Sequence, residues 1–251
     1  MKWLDCHTHT EWSDGRQSVE QVLECARQQF VWVGISDHAS TTDYLNSSQR
    51  IKAYCDFLTQ YPVARGVEMD LGRSFKISDE VRHCLDYVIG SVHGLSFNGR
   101  WISFQPLILF LKKQNTQYHP EEEIDHWDDF FRMHLTLLRQ EYQLQPFDIL
   151  GHGSLLPPLA LDVPEAVFPE WWEDELIELL QEFHIAMELS NRWRTPYPRL
   201  MRKAVQASVQ FSLGSDGHDP AKTSVLDYPR ELIQNFAVPD SRIFTIPRLL
   251  T

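Results

Sequence analysis

The sequence predicts an α/β fold of one domain, in which a closed parallel β-sheet forms a barrel that is surrounded by helices. Seven short apolar runs alternate with helical segments along the 251 residues. The runs are continuously apolar, which is typical of parallel strands buried on both faces. Each run ends in polar residues, and the active sites of such barrels lie at the carboxyl ends of the strands. The length also fits two small domains, but no linker-like segment divides the chain.

The predicted strands follow one another at intervals that leave room for intervening helices. β-Branched residues and polar ends favour strands over buried helices in these runs. In chain order the runs cover residues 4–9, 31–38, 62–70, 85–94, 146–154, 184–191 and 209–218. We therefore expect seven strands in one sheet.

Helices are predicted between the strands. Ser18 and Gln21 form a possible capping box at the start of an amphipathic segment over 18–30. A second helical stretch lies near 47–59. These two segments would separate the first three strands.

The second half of the chain predicts two longer helices. Pro120 and the three glutamates after it favour a helix start, because proline and acidic residues are preferred in the first turn. Another apolar stripe lies in 169–183. The irregular region from about 95 to 119 is predicted to be a loop elaboration near the carboxyl ends of the strands.

The charge balance limits the partners of the chain. It has 35 acidic and 23 basic residues, a net charge of -12 and a pI near 5.3. This excess argues against a general attraction to nucleic acid or to an anionic membrane. We expect no nucleic-acid partner and no membrane partner, and the oligomeric state stays open. A small anionic substrate would need local positive charge.

Hydrophobic runs and cysteines predict a soluble cytoplasmic protein. The longest clearly apolar run, around 106–111, is far shorter than a membrane span. The N-terminus lacks a basic segment followed by an apolar stretch. The four cysteines contain no Cys-x-x-Cys pair, and we expect them to be reduced and mostly buried. Cys6 is predicted to lie in the barrel core.

Chemistry-bearing residues gather at the predicted strand ends. Each has an ordinary alternative role on its own: His38 could cap a helix, Glu68 could be a surface acid and His93 a core histidine. Together they indicate a site for several metal ions, because imidazole and carboxylate ligands suit divalent metals of intermediate softness. The strand ends carry His7 and His9, Asp37 and His38, Glu68 and Asp70, His93, His152, Ser190 and Asn191, and Asp216 and His218. The histidines left as structural are His83, His119, His126, His134 and His184.

Six motifs in a fixed order carry a family resemblance. They read HTHTEWSDG, GISDHA, RGVEMDL, IGSVHG, ILGHGS and SLGSDGH. The ordered set resembles the PHP (polymerase and histidinol phosphatase) superfamily and is most similar to its histidinol-phosphate phosphatase branch. The resemblance implies that residues 1–251 form one distorted, seven-stranded, TIM-like (βα) barrel. It also implies up to three divalent metal ions, usually zinc, iron or manganese, at the strand ends.

The same resemblance implies a role for each site residue. For the first metal it implies the ligands His7, His9, Glu68 and Asp216. Glu68 would bridge to a second metal, with the ligands His93 and His152. For a third metal it implies Asp14, His38 and His218. The residues expected to act in catalysis are Glu68, Asp216 and His218.

A metal pair with a bridging carboxylate favours hydrolysis of a phosphate ester by metal-activated hydroxide. Neither a G-x-x-x-x-G-K-[ST] phosphate loop nor a G-x-S-x-G motif occurs in the sequence. Arg192 and Arg194 follow the sixth strand and are candidates for binding the substrate phosphate. Alternatively, these arginines could be solvated or paired with the abundant acidic residues.

The substrate remains open at this point. Ser154 occupies a position that is acidic in many histidinol phosphatases, and SNRW follows the sixth strand where a sequence like NTSG is usual. The first hypothesis is a phosphatase for a small monoester such as L-histidinol phosphate, and thus a part of histidine biosynthesis. The second is a phosphodiesterase or another small-phosphate hydrolase of the same superfamily. The third is a noncatalytic, metal-stabilised module.

Overall fold

A closed barrel of parallel strands organises the chain. The computed structural model describes residues 3–115, 117–161 and 164–246. The described strands are β1 (Leu4–Asp5), β2 (Trp32–Ile35), β3 (His38–Ala39), β4 (Ala64–Leu71), β5 (Tyr87–Val92), β6 (Gly94–Phe97), β7 (Arg100–Ser103), β8 (Ile149–Leu150), β9 (Ala186–Ser190) and β10 (Phe211–Gly214).

The barrel strands keep the order of the chain. The parallel pairings run β1–β2–β4–β5–β8–β9–β10, and β10 pairs with β1 to close the ring. Each of these seven strands overlaps one of the runs predicted from the sequence, so the predicted barrel fold is confirmed. The short β3 adds to β4, and β6 and β7 form a separate antiparallel hairpin.

Helices cover the outer face of the sheet. They are α1 (Val19–Gln28), α2 (Ser48–Leu58), α3 (Asp79–Arg82), α4 (Gln105–Leu111), α5 (Trp127–Leu144), α6 (Pro164–Val167), α7 (Glu170–Glu182), α8 (Pro198–Gln206) and α9 (Asp227–Asn235). The capping box predicted at Ser18 and Gln21 is present at the start of α1. The helix predicted to start at Pro120 starts instead at Trp127, because Pro120–Glu122 forms a separate 3-10 turn.

Side chains alternate between the barrel interior and the layer under the helices. In β5, Tyr87 and Ile89 pack in a small cluster with Leu4 and Ala186, whereas Val88 joins the large cluster that includes helix residues. This alternation follows from the two-residue period of a strand. Cys6 also belongs to the small cluster, as predicted. Polar residues in phase with the inner set therefore point into the barrel.

The first strand is shorter than predicted. Its regular ladder ends at Asp5, and the segment that carries His7 and His9 follows it. The Asp5 carboxylate accepts hydrogen bonds from the backbone N–H groups of His7 (3.2 Å) and Ser215 (2.9 Å). This side chain takes backbone donors that a ladder would use, so the ladder is interrupted here. Parallel pairing resumes with the isolated bridge between Thr8 and Gly217.

The elaboration predicted for 95–119 contains regular structure. It includes most of the hairpin β6–β7 and all of α4. Trp101 of the hairpin and Ile108 of α4 both line the cavity at the carboxyl ends of the strands. The predicted position of this elaboration is therefore confirmed, although its hairpin and helix were not anticipated.

All four cysteines are free thiols in the structure. Cys6 and Cys55 are buried, while Cys25 and Cys84 are half-buried. The reduced state of the cysteines stays a prediction.

Among the described residues, none of the helices combines the length and the apolar character that crossing a membrane requires.

Candidate metal centre

Glu68 projects into the barrel near the carboxyl ends of the strands. It lies four positions after Ala64 in β4, so both side chains share the inner face of that strand. Only 1% of the Glu68 surface is exposed. A carboxylate in this position has lost most of its water and needs cationic or hydrogen-bonding partners.

Imidazole rings surround the Glu68 carboxylate. Its Oε2 atom lies 3.2 Å from His7 Nε2 and 2.9 Å from His38 Nδ1. Its Oε1 atom lies 3.2 Å from His152 Nε2 and 3.6 Å from His93 Nε2. The two carboxylate oxygens thus face different imidazoles, which is the arrangement that a bridging carboxylate requires.

The cluster continues toward the cavity mouth through Asp14. Its Oδ2 atom lies 3.1 Å from His218 Nε2, and its Oδ1 atom lies 3.5 Å from His38 Nε2. His9 connects the two parts, because its Nε2 atom lies 3.5 Å from Glu68 Oε2 and its Nδ1 atom lies 3.9 Å from Asp14 Oδ1. The same Nε2 atom lies 3.4 Å from Asp216 Oδ1. The structure therefore brings all nine residues predicted as metal ligands into one cluster.

The sequence analysis missed one carboxylate, Glu188, which contacts His7 on the side of the ring that faces away from Glu68. Glu188 is 2% exposed, and its Oε1 atom accepts a hydrogen bond from Nδ1 of His7 at 2.8 Å. Its Oε2 atom accepts one from the backbone N–H of His152. Because Nδ1 of His7 is the donor, Nε2 remains free to face Glu68. A Cβ atom at Gly214 would collide with Glu188 Oε1, so glycine leaves the room that this side chain needs.

The turns after β8 and β10 hold two of the predicted ligands in unusual backbone conformations. His152 has a φ of 29° and Asp216 a φ of 50°. Such left-handed conformations cost a residue other than glycine about 1–3 kcal/mol. Asp216 is fixed by two donors: Trp193 Nε1 at 2.5 Å from Oδ2, and Arg192 Nη1 at 3.0 Å from Oδ1. Strain of this kind is common at functional sites.

The carboxylates of the cluster stay ionised. Burial alone would raise the pKa of Glu68, but the charges of His7 and His38 hold that pKa well below its usual range. Burial is likewise opposed at Asp216, where Arg192 contributes most to a pKa well below the usual value. The carboxylates are therefore available in their ionised form as ligands for a cation.

The histidines differ in their affinity for protons. Burial, with the charges of neighbouring imidazoles, lowers the pKa of His9 to about 3. Burial also opposes charge on His93, but its hydrogen bond to Asp70 and nearby carboxylates raise its pKa to about 9. At His218, hydrogen bonds to carboxylates, first to Asp14, overcome burial and raise the pKa to about 9. A metal ion would compete with protons for these ring nitrogens, so metal binding would release protons.

The donor set fits divalent metal ions. Within the part of the chain that the structure describes, Nε2 of His7 and both ring nitrogens of His9 are buried without a hydrogen-bond partner. Buried polar atoms are nearly always hydrogen-bonded, so these nitrogens are suited to a ligand. Imidazole nitrogen together with carboxylate oxygen favours ions such as zinc, iron or manganese.

Among the described residues, four overlapping groups have donor atoms that lie within 4.8 Å of one another. The set predicted for the third metal recurs with His9 added. Glu68 belongs to two groups, as a bridging residue should. The groups are His9, Asp14, His38 and His218; His7, Glu68 and His152; His7, His9 and Asp216; and His38, Glu68 and His93. The division of these donors among three metal ions stays a prediction.

A cavity of about 420 Å³ opens onto the cluster. Its volume lies in the range of small-molecule sites, which is roughly 300–1,000 Å³. Aromatic and cationic side chains surround the ligand cluster on the cavity walls. They are Tyr44, Arg73, Trp101, Lys112, Arg192 and Trp193.

The two arginines predicted to bind phosphate occupy different places. Arg192 lines the cavity and donates from Nη1 to the carboxylate of Asp216. The Arg194 side chain is 66% exposed, lies 3.6 Å from Glu231 and stacks over Tyr228. The φ of 52° at Arg194 turns the chain at this point. The position of Arg194, outside the cavity wall, therefore does not support the substrate-binding role predicted for it.

Other polar residues at the strand ends support the ligands. Asp70 Oδ1 lies 3.3 Å from His93 Nδ1, so it orients that ring. The Asp37 carboxylate accepts hydrogen bonds from the Thr10 backbone N–H at 2.8 Å and from the Ser13 hydroxyl at 2.6 Å. Asp37 thereby holds the loop that leads to Asp14.

The histidines predicted to be structural lie outside the donor groups. One of them, His134, is buried in α5 and accepts a hydrogen bond at Nδ1 from Trp172 Nε1, 3.3 Å away. Burial lowers the pKa of His134 to about 3, so this ring is neutral in the folded protein.

Comparison with known proteins bears on the same region. The chain is 30% identical over 248 residues to the DNA polymerase/3'-5' exonuclease PolX of Bacillus subtilis (strain 168), covering 88% of this chain but 36% of that protein. The chain thus spans a minor part of that relative's length. The YdjI aldolase from Escherichia coli K12 matches with a TM-score of 0.36 and 12% identity, over 86% of this chain and 67% of that chain, which is too weak to support an inference. Residues 5–192 match the family model of the PHP domain, and the chain therefore belongs to the PHP domain family.

Proposed function

We propose that this protein is a metal-dependent phosphoesterase that hydrolyses a small phosphate ester. The observation that carries the proposal is the convergence of six histidines and three carboxylates below a cavity that also contains a guanidinium group. Membership in the PHP domain family supports the same chemistry. The reaction class follows from this donor set, because it combines metal ligands with a group that can bind phosphate.

The predicted ligands would hold up to three divalent ions, with zinc, iron and manganese as the candidates. When bound, such ions supply a nucleophilic hydroxide at neutral pH and neutralise charge on phosphoryl oxygens. Glu68 is placed to contact two ions, because its two oxygens face different histidines. Glu188 keeps Nε2 of His7 directed into the cluster.

Arg192 is placed to bind the phosphoryl group. Its guanidinium lies on the cavity wall, 3.0 Å from Asp216 Oδ1. A guanidinium presents several N–H donors in one plane and suits phosphate oxygens. Asp216 and His218 border both the ligand cluster and the cavity, so a bound substrate would lie beside them. This position supports the catalytic roles expected for them.

The substrate is either a monoester or a diester. L-Histidinol phosphate is the monoester candidate, and activity on it would place the protein in histidine biosynthesis. The relation to a protein named as a 3'-5' exonuclease favours a diester as the second candidate, because an exonuclease cleaves phosphodiester bonds. A noncatalytic, metal-stabilised module is the third possibility. The open cavity above the donors favours catalysis over that role.

The free cysteines and the composition agree with a cytoplasmic location.

A substrate panel with metal analysis tests the proposal. The purified protein is loaded separately with manganese, zinc and iron, and the metal content is measured. Histidinol phosphate, phenyl phosphate and bis(p-nitrophenyl) phosphate then distinguish a monoesterase from a diesterase. We expect hydrolysis that a chelator abolishes and added metal restores. Metal binding without turnover on any ester would instead favour the noncatalytic module.

A further inference from the structure

Lys112 places a cation on the wall of the cavity. It follows the last residue of α4 and lines the cavity. A lysine in this position could serve the terminal carbonyl groups of its own helix. Instead, its Nζ atom lies 5.6 Å from the centre of the Trp193 ring, within the range of a cation–π contact. The ammonium group is therefore directed toward the ring that forms part of the cavity wall.

Arg192 brings a second cation to the same ring. Its guanidinium carbon lies 4.9 Å from the centre of Trp193. The Arg192 charge is balanced by Asp216, whereas the structure pairs Lys112 with no carboxylate among the residues it describes. Partial burial, followed by the charge of Arg192, lowers the pKa of Lys112, while the charges of Asp216 and Asp14 act in the opposite direction. Two cations that converge in this way repel each other, and an anion bound beside them relieves the repulsion.

The α4 segment lines the cavity apart from the donor cluster. Gln105, Ile108 and Lys112 recur at helical spacing and all line the cavity. None of the three belongs to the metal-donor groups. These side chains therefore form a part of the cavity wall that contains none of the predicted metal ligands.

We propose that the substrate carries a second anionic group, a phosphate or a carboxylate, which Lys112 binds while Arg192 contacts the phosphate that reacts. This inference rests on the proposed function, because it names the substrate class of the same site. It disfavours histidinol phosphate, whose ammonium group would be repelled by Lys112. It favours an ester with a negative charge on the leaving group.

A matched series of alkyl phosphates tests the second anion. The series has two- and four-carbon chains that end in a hydroxyl, an ammonium, a carboxylate or a second phosphate. Binding to the metal-loaded protein is measured by calorimetry, and hydrolysis is measured separately. Both are repeated with Lys112→Met and with Lys113→Met. The second variant removes the neighbouring lysine, which is exposed and does not line the cavity.

We expect the wild type to bind the two anionic compounds more tightly than the hydroxyl compound, and the ammonium compound most weakly. Lys112→Met should weaken the binding of the two anionic compounds by about three- to tenfold at low salt and leave the affinity for the hydroxyl compound unchanged. Lys113→Met should match the wild type. Comparison of the carboxylate with the phosphate identifies the preferred source of the charge.

Equal wild-type affinities across the series would overturn the inference, as would an equal loss on all four compounds in Lys112→Met. An affinity order that follows the charge, without hydrolysis of any compound, would support the second anion site and contradict the proposed phosphoesterase.

Discussion

Glu188→Gln tests how far the cluster depends on a residue that is not itself a predicted ligand. The change keeps the size of a side chain that is 2% exposed, but it removes the charge that accepts the His7 N–H at 2.8 Å. Oε2 of Glu188 also accepts from the His152 backbone. An amide has only one oxygen, so its NH₂ group would face one of these two donors and leave it without an acceptor. Loss of one charge-assisted hydrogen bond costs about 1.5–3 kcal/mol. The ring of His7 would then no longer be fixed toward the cluster.

The assay is a competition between the protein and a chelator, from which the metal dissociation constant is obtained. We expect metal affinity to fall about 10- to 100-fold, which matches the energy of the lost bond and the usual effect of removing such a partner. Glu173→Gln is the matched control. Glu173 is also fully buried, but it pairs with Tyr197, Arg199 and Lys203 between α7 and α8. The Glu173→Gln substitution should lower thermal stability and leave metal affinity unchanged. Unchanged affinity in Glu188→Gln, or an equal loss in both variants, would refute this role.

Three further predictions concern the ligands, the phosphate contact and pH. Glu68→Gln removes the charge that can bridge two ions, so metal content and turnover should fall together; loss of turnover at full metal content would point to a proton-transfer role instead. Arg192→Ala should lower kcat/KM about 10- to 100-fold when both proteins are compared at saturating metal, while the exposed Arg194→Ala should match the wild type; normal hydrolysis by Arg192→Ala would contradict the phosphate contact. The pKa of His134 is lowered from an ordinary 6.5 to about 3 in the folded protein. Between these two pH values the unfolded chain binds one more proton than the folded protein does. The free energy of unfolding should therefore fall as the pH falls from 6.5 to about 3. The free energy of unfolding, measured with urea, should therefore fall less steeply with falling pH in His134→Gln than in the wild type, by up to about 1.4 kcal/mol per pH unit. Parallel plots of this free energy against pH for the two proteins would show that His134 does not contribute.

The barrel was predictable because its strands are continuously apolar. A continuously apolar run such as 85–94 is stable as a strand when both of its faces are buried. The polar residues that end each run mark the carboxyl ends of the strands. The same rule placed eight of the nine predicted ligands at strand ends, since the carboxyl ends of parallel strands lie together. Asp14 was predicted only from the family resemblance. His7 and His9 were identified although the regular strand ends before them at Asp5.

What the sequence could not resolve depends on packing between distant segments. Glu188 is an acid inside an apolar run, and only the barrel shows that it lies behind His7. Arg192 and Arg194 are two residues apart and look equivalent in sequence. The turn at Arg194 sends one side chain to the cavity and the other to Glu231. The hairpin β6–β7 lacks a continuous apolar run, but Asn98 and Gly99 between its strands are a hairpin signal that the sequence analysis missed.

Diffraction from metal-loaded crystals, recorded on both sides of the absorption edge of the metal, is the most direct test of the proposed metal centre. Anomalous peaks should lie between the Glu68 carboxylate and the histidines around it, at roughly 2.0–2.3 Å from the ligand atoms. Arg192 should remain on the cavity wall, free to meet a phosphate. Peaks confined to surface residues, or a fully loaded crystal with no peak beside Glu68, would contradict a metal-dependent site in this barrel.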